Sequence, residues 1–523
     1  MSVVGLARTR GVVLLGVDGH VVEVEADVSQ GVVGFTVVGL ADKGVGEARD
    51  RARSALLNSG LHWPAMKITI GLSPAWLPKR GPTLDLPVAL AVLATQGSLP
   101  REALAELVCV AELGLDGRLR AVRGALVAAL AARAAGARRL IVPAANLAEA
   151  ELVPGIDVAG FHTLAGLVAA LCDEPLPDRE LDAALTAAAR PPSRVDSGGA
   201  VADLSDVRGQ LPARAALELA AAGGHHVAMT GAPGIGKTML AERLPGLLPE
   251  LDEQAALEVT SVHSVAGTLA AGELIRVPPF VAPHHTVTFA AMVGGGSAVP
   301  RIGQVSLAHH GVLFLDESPE FDARALEALR QPLESGWITV SRSAFVVRYP
   351  ASFQLVLAMN PCPCGRDDTG RTGAGRHCIC TSVQRRRYLA RISGPLVDRV
   401  DVRVTLSRPT MAELADDVVE ATAVVAGRVG LARERAAHRF VGTPFRVNGD
   451  VPGPVLRRRF PLHGDAAGPV EQAVARGLLS ARGADRVLRV AWTVADLAGH
   501  DQPSLTDVGT ALALREPGTA WAA

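Results

Sequence analysis

Residues Gly231-Ala232-Pro233-Gly234-Ile235-Gly236-Lys237-Thr238 have the spacing G-x-x-x-x-G-K-[ST], and this stretch restricts the fold more than any other. The apolar run His226-Val227-Ala228-Met229 comes just before it and reads as a short buried strand. Met239-Leu240-Ala241-Glu242-Arg243-Leu244 follows and reads as a helix. A strand, a glycine-rich turn and a helix in that order let backbone N–H groups curl round a polyphosphate at the helix N-terminus. Lys237 would then reach the β- and γ-phosphates and Thr238 would give its hydroxyl to Mg²⁺, so ATP and Mg²⁺ are the expected ligands. The lysine itself is informative. Only four lysines (Lys43, Lys67, Lys79, Lys237) stand beside 48 arginines, and a compact ammonium suits this loop where a wide guanidinium does not.

A chain of 523 residues has room for about three domains. Its composition, 49% hydrophobic and 20% charged, is that of a globular protein with a large core. A net charge of −1 excludes a global polycation, so any nucleic-acid contact has to come from local basic patches. Arginine interrupts the apolar start at Arg8, and the apolar stretch 124–137 is broken by Arg133 and too short to span a bilayer. A cytoplasmic protein with no membrane partner is expected. Six cysteines, four of them clustered, do not make a disulfide scaffold.

Residues 1–172 alternate β-rich and Ala-rich runs and read as an α/β module, with strands at 21–28 and 67–70 and helices at 46–58 and 85–93. Residues 173–203 turn small and polar, as a linker does. In the nucleotide-binding module, 204–406, apolar strands at 226–230, 311–315 and 353–359 alternate with helical segments, as in a parallel sheet with crossovers. Helical periodicity at 411–429, 484–497 and 505–514 makes 407–523 a helical lid.

The strand 311–315 ends in Asp316 and Glu317. Asp316 is the candidate Mg²⁺ ligand and Glu317 the group that polarises the attacking water. The spacing from the phosphate loop makes the two strands candidate sheet neighbours. Asn360 ends the strand 353–359 and either orients that water or simply starts the turn before Pro361. Arg399 is a candidate finger for a neighbouring subunit's nucleotide, or else a surface partner of Asp398 or Asp401. Cys362, Cys364, Cys378 and Cys380 form two C-x-C pairs that suit tetrahedral zinc, with His377 as a competing ligand. A reactive or disulfide pair and plain reduced thiols remain the other readings. Residues 337–348 read as a β-hairpin in which Arg342 is a candidate phosphate contact or an ordinary solvated residue. Arg385-Arg386-Arg387 and Arg457-Arg458-Arg459 read as solvated faces, and His284-His285 and His309-His310 as structural.

The phosphate loop, Leu315-Asp316-Glu317, Met359-Asn360-Pro361-Cys362-Pro363-Cys364-Gly365 and Ser393-Gly394-Pro395-Leu396-Val397-Asp398-Arg399 together resemble the YifB/ComM family of magnesium-chelatase-like AAA+ ATPases. Ala282-Pro283-His284-His285-Thr286 and Asp85-Leu86-Pro87-Val88 extend the resemblance over nearly the whole chain. It implies an α/β fold in three parts. The first is an N-terminal module similar to the Lon-protease C-terminal domain and to ribosomal protein S5 domain 2. A central AAA+ P-loop domain of three α/β/α layers and a C-terminal helical lid follow. It further implies a homo-hexameric ring that hydrolyses ATP and binds single-stranded or branched DNA, as a branch-migration helicase of recombination and natural transformation. In that frame Asn360 is the sensor, Arg399 the trans-acting finger and Arg482 the second sensor, with Arg486 and Arg489 as alternates. The protease-like module has Thr83 at the nucleophile position and Leu126 at the lysine position, so no peptidase activity is expected. A chelatase-like remodeller of a protein partner, an ATP-gated protease and a nucleotide-binding scaffold are the alternatives.

Overall fold

Val22, Val24, Ala26 and Val28 alternate with polar residues, and in a computed structural model of the chain all four are buried on one face of a strand. The structure describes residues 5–40, 42–79, 81–178, 180–182, 202–269, 272–295, 301–342, 345–366, 378–415 and 419–515. It divides into two units, residues 1–197 with 257–274, and residues 198–256 with 275–523.

In the first unit β1 (Gly5–Leu15), β2 (Asp18–Ser29), β3 (Gly34–Val38) and β4 (Lys67–Ser73) form a sheet of order β1-β2-β4-β3. The β3–β4 pair is parallel and the other two are antiparallel. Helix α1 (Asp85–Thr95) is buried along its whole length, as its unbroken apolar run requires. Its one buried charge, Asp85, is gripped by Arg51 at 2.6 and 3.0 Å. The buried Thr83 hydroxyl has no hydrogen-bond partner among the described residues, and Leu126 lies in an apolar cluster with Val12, Ala129 and Val142. Glu180, in the polar stretch expected to be a linker, belongs to this unit: it is buried and accepts hydrogen bonds from Thr163 Oγ1 (2.6 Å) and the His162 N–H (2.8 Å). Residues 183–201 of that stretch lie outside the described residues.

The second unit is built on a five-stranded parallel sheet. Its strands are β5 (Val227–Thr230), β6 (Phe280–Val281), β7 (Val312–Leu315), β8 (Gln354–Met359) and β9 (Val402–Thr405), in the order β6-β7-β8-β5-β9. The strand after the phosphate loop's own is therefore not its neighbour. β8 lies between β5 and β7, which corrects the expectation that those two pair directly. All of β5, β7 and β8 is buried, so hydrophobicity alone marks each as interior without saying which two adjoin.

The helical stretch expected at 411–429 is two helices, Met411–Ala415 and α2 (Thr422–Arg439). The second start is capped from far away in sequence. The Asp203 carboxylate accepts the Thr422 N–H at 3.2 and 3.3 Å, and Thr422 Oγ1 accepts the Leu204 N–H at 2.7 Å. Helices α3 (Ala481–Ala498) and α4 (Leu505–Arg515) complete this part.

Asp401, just ahead of β9, joins the sheet to α3. It is buried, pairs with Arg486 and lies 3.2 Å from His225 Nδ1, whose Nε2 is 2.7 Å from Thr493 Oγ1. Burial pushes its carboxyl up, but Arg486, His225 and Arg489 together hold it well below the usual carboxylate range. A carboxylate depressed in the folded state contributes stability above its unfolded pKa, and that stability is lost as pH falls through the folded value. Asp401→Asn should therefore destabilise the protein by about 3–5 kcal/mol at neutral pH, since Arg486 keeps a charge without its partner. Urea unfolding against pH checks this: the variant's acid limb should be flatter than the wild type's.

Candidate active site

At the end of β5 the chain turns through Gly231–Thr238 into a short helix, the five residues Lys237–Ala241. Gly236 caps it at φ +100°, a conformation open to glycine at no steric cost. Lys237 is 7% exposed. Its ammonium donates to the Gly231 carbonyl (2.7 Å), the Ala232 carbonyl (3.1 Å) and Asn360 Oδ1 (3.0 Å). Burial lowers its pKa from the ordinary lysine value, and Asp316 and Glu317 oppose that shift.

The parallel sheet brings the other groups to the same edge. Asn360 follows β8, the strand between the phosphate loop and the acids, and Asp316 follows β7. Thr238 Oγ1 donates to Asp316 Oδ2 at 2.7 Å, so two hard oxygen donors adjoin where Mg²⁺ would bind. Glu317 takes a left-handed backbone (φ +50°), rare for a non-glycine residue, and stays half exposed. Ser318 Oγ donates to the Leu315 and Ala358 carbonyls (2.7 and 2.9 Å), tying the acidic turn to β8.

Two contributors were not legible in the sequence as site residues. His285 Nδ1 lies 3.4 Å from Glu317 Oε2, although its histidine pair reads as structural from spacing alone. Tyr388, on the helix Ser382–Leu389, is buried with its hydroxyl toward the Asn360 backbone, and burial pushes its pKa up to about 12. Neither has a local pattern that could have revealed it.

Arg399 is placed elsewhere. Its guanidinium pairs with Glu334 and donates to the Pro395 carbonyl at 2.6 Å, while the buried Nε has no partner among the described residues. Neither Asp398 nor Asp401 takes it, so the surface pair considered from sequence gives way to Glu334. Arg399 lines a cavity of about 730 Å³ with Glu334, Arg433, Arg446 and Arg489, and no residue of the phosphate loop lines it. Arg482 is exposed on the first turn of α3 and shares a smaller hollow with Arg399, Arg486 and Arg489. The four arginines thus form one group and Lys237, Thr238, Asp316, Glu317 and Asn360 another.

The four clustered cysteines converge. Cys362 Sγ is 3.3 Å from Cys364 Sγ and 3.4 Å from Cys378 Sγ, Cys364 and Cys378 are 3.6 Å apart, and all four sulfurs lie within 4.8 Å of one another. These separations are far longer than the ~2.05 Å of a disulfide, and all six cysteines are free. His377 lies outside the described residues. The loop also reaches the phosphate cradle: a Cβ on Gly365, at φ +65°, would lie 2.7 Å from Pro233 Cγ.

The strands Trp337–Arg342 and Phe345–Pro350 pair as the expected hairpin, with Arg348 stacked 5.1 Å from the Trp337 ring. Residues 343–344 at its tip lie outside the described residues. Arg386, Arg387, Arg457, Arg458 and Arg459 are exposed. Among the described residues no helix is long and apolar enough to cross a membrane.

A parallel sheet carrying a phosphate loop, an acidic pair and an intervening amide at one edge is an α/β fold of the AAA+ type. Three family profiles match: magnesium chelatase, subunit ChlI, at residues 203–414; subunit ChlI of Mg-chelatase at 24–146; and the ChlI C-terminal region at 419–515. The chain is 50% identical to a protein of Mycobacterium tuberculosis over 98% of its own length and 99% of the relative's. It is 42% identical to YifB of Escherichia coli over 93% of this chain and 92% of that one. With competence protein ComM of Haemophilus influenzae the identity is 40%, covering 96% of each. The chain belongs to the YifB/ComM family of magnesium-chelatase-like proteins.

Gly365→Ala tests the approach of the cysteine loop to the cradle. It should weaken binding of a fluorescent ATP analogue about tenfold, or ~1.4 kcal/mol. Gly464→Ala, also at positive φ (+57°) but in open space, should leave that affinity unchanged.

Proposed function

We propose that this chain is an ATP-hydrolysing AAA+ motor that assembles as a homo-hexameric ring and drives branch migration of DNA in recombination and natural transformation. The observation that carries this reading is the separation of two half-sites. Lys237, Thr238, Asp316, Glu317 and Asn360 meet at one sheet edge, while Arg399 opens onto a cavity that none of them lines. A subunit built this way needs a neighbour to complete its site, and a ring supplies one to every subunit.

On this reading the ammonium of Lys237 exchanges its carbonyl partners for β- and γ-phosphate oxygens. Asn360 keeps one amide atom on the attacking water, and the Glu317 carboxylate, steadied by His285, accepts the proton that water gives up. Thr238 and Asp316 would hold Mg²⁺, which supplies charge neutralisation between the phosphates. The neighbour's Arg399 leaves Glu334 to meet the transferring phosphoryl group, with Arg482 beside it as the second sensor. ATP and Mg²⁺ are the cofactors of this site, and zinc that of the four thiols.

The domain layout proposed is a Lon-C-like, catalytically inactive module (1–172), a linker (173–203), the AAA+ module (204–406) and the lid (407–523). The hairpin 337–350 and the exposed arginines are the surfaces proposed for single-stranded or branched DNA, and the cytoplasm is the proposed location. A second reading, a chelatase-like remodeller of a protein partner, is favoured by the family profiles, whose descriptions name a magnesium-chelatase subunit. ATP hydrolysis stimulated by branched DNA decides for the motor; turnover indifferent to single-stranded, duplex and branched DNA decides for the remodeller.

Two outcomes test the chemistry. Glu317→Gln should bind ATP and assemble but lose roughly a hundredfold or more in turnover. Arg399→Ala should lose on the order of a thousandfold alone, yet regain measurable turnover when mixed with an equally inactive Lys237→Ala chain. Mixed rings contain junctions where one subunit's intact cradle faces its neighbour's intact arginine, and absence of rescue would place Arg399 in its own subunit's chemistry.

A further inference from the structure

We infer that Cys362, Cys364, Cys378 and Cys380 bind one zinc ion, and that this zinc site positions Asn360 and the phosphate loop for hydrolysis. The role given to the zinc rests on the ATPase reading; its binding does not.

The donor set fits the metal. Four sulfurs around a zinc ion at ~2.3 Å stand about 3.8 Å apart. The three measured separations, 3.3, 3.4 and 3.6 Å, and the 4.8 Å bound on all of them leave room for one such ion. Soft thiolates in this arrangement select zinc over Mg²⁺ or Ca²⁺, and binding releases the thiol protons to solvent.

The positions of the ligands give the site its second role. Cys362 and Cys364 follow Asn360 directly, and the prolines at 361 and 363 make that short link stiff. On the other side Cys380 leads into Thr381, whose side chain caps the helix Ser382–Leu389 in a reciprocal box with Gln384. That helix carries Tyr388 back to the Asn360 backbone. The zinc therefore closes a loop whose first end is joined to Asn360 through Pro361 and whose second end leads into the helix that places Tyr388 near Asn360. A third connection is Gly365, whose lack of a side chain lets the same loop rest on Pro233 of the cradle. Asn360 in turn is the only side chain among the described residues that bonds the Lys237 ammonium. Metal loss loosens the amide and the phosphate loop together.

The experiment measures metal content and backbone protection as well as turnover. Full-length protein purified under reducing conditions should carry one zinc per chain by elemental analysis. Cobalt substituted for it should give the thiolate charge-transfer bands of a four-sulfur site. The Cys364→Ser, Cys380→Ser double variant should lose the metal, and its amide hydrogen exchange should quicken both in 360–366 and in the phosphate loop, 231–238. Its kcat should fall about tenfold and its KM for ATP should rise, and adding the cysteine changes to Asn360→Ala should take kcat no lower than Asn360→Ala does alone. Should the double variant fail to fold, removal of zinc from the wild type by a mercurial and a chelator gives the same readouts. Cys380→His should retain metal and restore protection. Wild-type protein without stoichiometric zinc would overturn the site. Zinc loss that leaves the phosphate loop protected, or effects of the cysteine and Asn360 changes that multiply, would overturn the positioning role. A wild type that binds zinc but hydrolyses no ATP would instead count against the ATPase reading, and exchange at 231–238 would still decide whether the zinc clamps the cradle.

Discussion

The buried ammonium of Lys237 is the group on which the second unit depends. A charge taken from water is costly unless it is surrounded by acceptors, and Lys237 has three within hydrogen-bond distance. Two belong to its own loop, and the third requires β8 to end beside β5. The sheet order follows from that requirement as much as from apolar packing. With all five strands parallel, their carboxyl ends share one edge, so the amide after β8 and the acids after β7 arrive next to the loop after β5.

This explains what could and could not be read from the residues. The phosphate loop, Asp316, Glu317 and Asn360 are legible because each closes a short apolar run with a polar group whose chemistry is local. The order of those runs is not legible, since Val312–Leu315 and Gln354–Met359 are equally buried and either could have adjoined Val227–Thr230. The break before Thr422 escapes for a different reason. Its cap is Asp203, 219 residues away, and no helical window contains it. His285, Tyr388 and Glu334 share that character: each acts through a partner distant in sequence, and none stands in a pattern that points to the partner.

The preference for arginine over lysine also has a structural expression. Arg433 is pushed down to about 10 by burial and spends its guanidinium on the Ala221 carbonyl at 2.7 and 2.8 Å. Arg214 likewise donates to the carbonyls of Leu204, Val207 and Glu420. A forked donor can satisfy several carbonyls at helix and loop ends at once, whereas an ammonium on a flexible stem is less pre-organised for it. The one lysine in this unit, Lys237, sits in the phosphate loop, where on the proposed reading its partners have to be exchangeable.

The same strand that ends in the phosphate loop begins in the lid's polar network. Ahead of β5, His225 bridges Asp401 and Thr493; Thr493 and Asp496 bond Asn448, and Arg439 pairs with Asp496 at 2.6 Å. The neighbouring His226 is held neutral by burial, at about 4, and its Nδ1 accepts the Leu355 N–H at 3.1 Å, locking β5 to β8. Only the four buried residues Val227–Thr230 separate this network from the cradle. A close-packed strand of that length transmits displacement instead of absorbing it. Movement of the cradle must therefore either carry α3 and the Arg399 segment with it or break a buried polar network, and removing one partner of a buried ion pair costs about 3–5 kcal/mol. The first course is the cheaper one, and on the proposed reading it would couple phosphate contact at one half-site to the placement of Arg399 at the other.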